Sequence, residues 1–163
     1  MVHQLDTVRP GLALVFAGLL FGIGLGVLFG VNEDAVKEYI AEGIAAHPEV
    51  HDGKSQDKIW RYAQRAHFHA TGIAAFSLGL VLLITHSTLL PAYRRLTAVL
   101  VGLGSLYPLA WFSMFLLAPS IGRGPAHEHI VTETFTYIGV GGLVTGIAIL
   151  FANLFIGSFG TRM

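Results

Sequence analysis

Gly11–Val31 reads GLALVFAGLLFGIGLGVLFGV and carries no charged side chain. As a helix rising 1.5 Å per residue it spans about 30 Å, the thickness of the hydrocarbon core of a bilayer. Lipid offers no hydrogen-bond partners, so the backbone must satisfy itself inside each spanning segment, and a helix does this. The rest of the chain has the composition to match. Of 163 residues, 53% are hydrophobic and 12% charged, with a mean hydropathy of +0.64, too apolar for an ordinary water-soluble domain of this size. Ahead of this run, Met1–Pro10 carries Asp6 and Arg9, and no small-residue cleavage site follows a short apolar core. The first segment is therefore expected to be retained as a span.

Three further apolar segments follow, at about 66–86, 93–118 and 126–156. The expected fold is an all-α integral membrane protein, residues 1–163 forming one domain of four transmembrane helices in an antiparallel bundle. Residues 32–64 interrupt it with alternating charge and the breakers His47-Pro48 and Asp52-Gly53, and are expected to lie in water. Within them Val36, Tyr39, Ile40, Gly43 and Ile44 keep helical spacing, which predicts a short amphipathic extramembrane helix between spans 1 and 2. Trp60 and Tyr62 stand where an interfacial aromatic belt is expected. Pro108 is expected to kink the third span, and the Gly- and Pro-rich stretch 119–125 to be a loop.

In the first span Gly18, Gly22, Gly26 and Gly30 recur every fourth residue. They form a groove that admits another helix backbone, either within the bundle or at a seam with a second copy or another membrane subunit.

Four spans put both termini and the turn between spans 2 and 3 on one side, and the 32–64 segment and the 3–4 connection on the other. Lys and Arg near the span ends, Arg162 among them, are close to balanced between the sides. The expected placement is a bacterial inner membrane with cytoplasmic termini.

On the side of the 32–64 segment two polar clusters meet the membrane, Arg65-Ala-His67-Phe-His69-Ala-Thr71 and His127-Glu-His129-Ile-Val-Thr-Glu133-Thr-Phe-Thr136-Tyr137. His129, Thr132, Glu133, Thr136 and Tyr137 share one helix face, and a carboxylate a turn inside a membrane helix costs roughly 2.5–3.5 kcal/mol unless it faces protein or a cavity. Members of each His-x-His pair lie about 200° apart, so one can enter the bundle while the other stays at the rim; His69 and His129 are expected inside. His67, His69, His127, His129 and Glu133 are the candidate metal ligands, with Thr71, Thr136 and Tyr137 as further cofactor contacts. The plainer reading is that these histidines cap helices, snorkel or meet headgroups, and that Tyr107 and Trp111 are core aromatics.

The chain contains no cysteine and eight histidines. Disulfides, thiolate sites and covalent haem attachment are thereby excluded, leaving imidazole and carboxylate as ligands. Haem b held by imidazoles from two helices, or a single copper or zinc ion, is the expected cofactor; a di-iron centre needs more carboxylates than the spans supply. The formal net charge of zero removes the field that draws nucleic acid. The expected function is a metal- or haem-binding subunit for electron transfer or metal handling in a larger membrane complex. The alternatives are a non-catalytic subunit docking through the glycine face of the first span, or a proton-coupled carrier using Glu133 and a histidine.

Overall fold

The computed structural model describes residues 2–161, with side chains from Leu5 onward; Arg162, counted above for orientation, lies outside them. The described helices are α1 (Val2–Ala46), α2 (Ser55–His86), α3 (Pro91–Leu103), α4 (Tyr107–Ile121), α5 (Arg123–His127) and α6 (Ile130–Ile156), with short 3₁₀ turns at Pro48–Val50 and Gly104–Leu106. Four stretches are long and apolar enough to cross a membrane: α1, α2, the consecutive α3 and α4, and α6. Only between 22% and 44% of the most apolar window of each is buried inside the chain. Leu20, Val27, Val31, Phe155 and Ile156 are among the large apolar side chains left more than 60% exposed. So much apolar surface calls for lipid or partner protein around it.

The helices run past the limits that charge alone suggests, because backbone hydrogen bonding continues where charged side chains begin. Residues 32–46, expected to hold a separate short helix, instead continue α1 across a kink at Asn32 (φ −130°, ψ 35°). Val36 and Ile40 there pack with Ile59, Ala63, Phe115 and Ala118. In the third span the break comes one turn before the expected position, at the 3₁₀ turn Gly104–Leu106. Pro108 then stands in the first turn of α4, where a missing N–H leaves no bond unmade. Helix α4 continues through Pro119 and stops at Gly122, whose φ of +81° suits glycine. Most of the expected loop is thus helical, with α5 occupying Arg123–His127.

Small residues set how close the spans come. On α2 the residues Ile59, Ala63, Ala66, Ala70, Ala74, Ser77, Val81 and Ile84 form one buried stripe, which Gly22 of α1 meets at Ala70. A methyl group on Gly22 would lie 2.9 Å from both Ala70 Cβ and Thr71 Cγ2. Of the predicted groove, Gly18 faces Ser105, Gly22 faces Ala70 and Thr71, Gly26 faces His67, and only Gly30 has open space beside it.

One corner is fastened by polar contacts. His51 Nε2 donates to the Pro119 carbonyl at 2.9 Å, Arg123 Nη2 donates to Asp52 Oδ2 at 2.8 Å, and Tyr39 Oη donates to the Leu116 carbonyl at 2.8 Å. Together they tie residues 39–52 to the end of α4.

Candidate functional site

The two polar clusters flank one aromatic wall. Tyr107 and Trp111, a turn apart on α4, present their rings between α2 and α6. From α2, His69 stacks on Trp111 with centroids 5.7 Å apart and planes 24° apart, and leans on Tyr107 at 5.1 Å. Arg65 Cζ sits 4.7 Å from the Trp111 ring centroid, a cation over a π face. On the other side of the same wall is a cleft of about 140 Å³ lined by Tyr107, Trp111, His127, Glu133, Thr136 and Tyr137, with Met114 and Thr132 at its floor. That is room for several waters or one hydrated ion.

Local geometry decides which side chains enter. Helix α5 ends at His127 and α6 starts only at Ile130, with Glu128 and His129 outside helical geometry between them. His129 therefore caps α6: its Nδ1 accepts from the Val131 N–H at 3.3 Å. His127 takes the place in the cleft expected for His129. Thr132 is buried, donating to the Ala126 carbonyl at 2.9 Å and sharing a 2.8 Å hydrogen bond with Ser113 of α4. Thr136 donates to the Thr132 carbonyl. This locks the first turns of α6 against α4 and aims Glu133 into the cleft.

His67 stands apart. Its Nδ1 donates to the Gly22 carbonyl at 2.8 Å, on the α1 side of α2, and Thr71 donates back to the His67 carbonyl at 3.0 Å. The candidate residues thus divide. His127, Glu133, Thr136 and Tyr137 share one cleft, His69 backs it, His129 caps the helix beside it, and His67 and Thr71 belong to the α1–α2 seam. Among the described residues no three His, Asp or Glu side chains are grouped as a metal site.

Comparison with known proteins gives no match to a protein family, a curated protein or a solved structure.

Two groups in this cleft lack partners. Trp111 Nε1 is buried with no hydrogen-bond acceptor, and the half-buried Glu133 carboxylate has no hydrogen bond or ion pair with a described residue. Leaving a buried donor unmade costs about 1–3 kcal/mol, and an uncompensated carboxylate more. The residues that carry these two groups, Glu133 and Trp111, line the same cleft. Trp111 and Tyr107, expected as core aromatics, are part of the site's wall; the signal for them is their i, i+4 spacing directly after a helix break.

Proposed function

We propose that the protein is a four-span membrane subunit, its helices an antiparallel bundle with the end of α1 outside the membrane, that holds a small cationic ligand in the Glu133 cleft. The best-supported ligand is a single copper or zinc ion, bound in the service of electron transfer or metal handling within a larger membrane complex. The unpartnered Glu133 carboxylate beside His127 carries this reading, because imidazole and carboxylate together suit these borderline metals. Tyr137 and Thr136 line the same cleft and would offer hydroxyls to water bound with the ion. Trp111 Nε1 can donate to such a water or to an anion that accompanies the ion.

Haem b fits the geometry less well. His69 is packed on the Trp111 and Tyr107 rings, His67 is turned to α1, and a cleft of about 140 Å³ is small for a macrocycle. The complementary role, attachment to a larger complex, is supported by the exposed apolar side chains Leu20, Val27 and Val31 of α1 rather than by its glycines.

Titration of the metal-free purified protein with Zn²⁺ and Cu²⁺, followed by calorimetry and, for copper, electron paramagnetic resonance, tests the reading. Binding of one equivalent that His127→Ala weakens tenfold or more is expected. Absence of stoichiometric binding, or an intense haem spectrum from the protein as purified, would overturn it.

A further inference from the structure

The outer face of α2 carries an unneutralised basic cluster on top of an exposed apolar stripe. Lys58, Arg61, Tyr62 and Arg65 line a shallow cleft of about 220 Å³, and none of the three cations makes an ion pair with a described residue. Of the carboxylates close by in the chain, Asp57 lies one turn before Arg61 without an ion pair to it, and Asp52 is already engaged by the Lys54 N–H, the Ser55 hydroxyl and Arg123. Arg65 is the last Lys or Arg before an apolar run that reaches His86, which places it at the hydrocarbon edge.

At 1.5 Å per residue Arg61 lies about 6 Å and Lys58 about 10 Å further out. The headgroup layer is roughly 5–7 Å deep on each side of the hydrocarbon, so the Arg61 guanidinium falls at the level of lipid phosphates, with Arg65 just inside that level and Lys58 just outside it. Below them Phe68, Gly72, Phe76, Gly79 and Leu83 continue the Arg61–Arg65 line within a sector about 80° wide, and all five are exposed. Gly72 and Gly79 have nothing within 4 Å of where a Cβ would stand. The gaps between Phe68, Phe76 and Leu83 are therefore open notches.

We infer that this face of α2 binds an anionic phospholipid, its phosphate held by Arg61, Lys58 and Arg65 and an acyl chain laid along Phe68, Phe76 and Leu83 over the two glycines. The unpaired positive charge at phosphate depth selects a lipid with net negative charge over a zwitterionic one. The inference rests on the membrane placement of α2 and is independent of any metal.

The test is native mass spectrometry of the purified full chain in detergent, titrated with phosphatidylglycerol, with phosphatidylcholine, or with inorganic phosphate. A 1:1 phosphatidylglycerol adduct is expected to outlast the phosphatidylcholine adduct, with inorganic phosphate failing to replace it. Each basic residue at an anionic surface strengthens attachment about fivefold, so Lys58→Gln with Arg61→Gln is expected to weaken the adduct roughly 30-fold. The charge-preserving pair Lys58→Arg and Arg61→Lys should keep it, which separates loss of charge from loss of fold. Equal retention of the two lipids, wild-type binding in the double Gln variant, equally tight binding of inorganic phosphate, or a second protein copy occupying this face would each overturn the inference.

Discussion

Replacing Gly22 by alanine probes the α1–α2 seam where the two backbones come closest. The new methyl would lie 2.9 Å from Ala70 Cβ, 2.9 Å from Thr71 Cγ2 and 3.0 Å from the Thr71 backbone nitrogen, all nearer than an ordinary contact of about 3.5–4.0 Å. Neither neighbour is the free end of a long side chain, so the helices must part. Overpacking of this kind costs about 1–3 kcal/mol, and separation also stretches the 2.8 Å bond from His67 to the Gly22 carbonyl, itself worth about 0.5–1.5 kcal/mol. Against this stands a helix-propensity gain of at most about 1 kcal/mol on replacing glycine by alanine. The net expectation is a loss of about 1–3 kcal/mol, or roughly 2–12 °C in midpoint temperature at the usual 2–4 °C per kcal/mol for chains of this size. Gly24, two residues away, has nothing within 4 Å, so Gly24→Ala should keep the propensity gain and be neutral or stabilising. Thermal unfolding of the purified protein in one detergent compares the pair. Equal shifts in the two variants would refute the packing argument.

Thr132→Val should cost about 1–3 kcal/mol by unfolding measurements, because it removes the hydroxyl that Ser113 and the Ala126 carbonyl share in a buried place. Gly26→Leu should loosen the bundle more than Gly30→Leu, since a side chain at Gly26 meets the His67 ring whereas Gly30 faces open space; equal effects on thermal stability would contradict the seam as described. The Lys54 N–H, then the Ser55 hydroxyl, and the Arg123 charge hold the Asp52 carboxyl below its ordinary range. A depressed carboxyl contributes its stabilisation above the unfolded-state value, near 3.9, and loses it as pH falls through the lower folded value. Protease cleavage of the 47–54 loop should therefore rise only below about pH 4, and Asp52→Asn should show the acid-type cleavage at neutral pH. A cleavage profile that is flat with pH would oppose this.

The spans were legible because an apolar run of the right length has few alternatives in lipid. The extent of α1 was not legible. Charge after Val31 marks where hydrocarbon ends, not where backbone hydrogen bonding stops, and only Asn32 departs from helix. At the site, Glu133, Thr136 and Tyr137 follow directly from phase. The choice between His127 and His129 does not, because it turns on two non-helical residues, Glu128 and His129, that reset the phase between α5 and α6. Trp111 was read as core on residue type alone; its unpaired N–H depends on which helices surround it, which no local pattern records.

The most direct measurement is metal occupancy beside thermal stability for Glu133→Gln and Glu133→Leu. If Glu133 serves a bound ion, Glu133→Gln should retain the fold and weaken zinc or copper binding about 10- to 100-fold, and Glu133→Leu should abolish it. Without a ligand role, removing a half-buried carboxylate should instead leave binding untouched and stability equal or higher. Full metal occupancy in the Glu133→Leu protein would contradict the account.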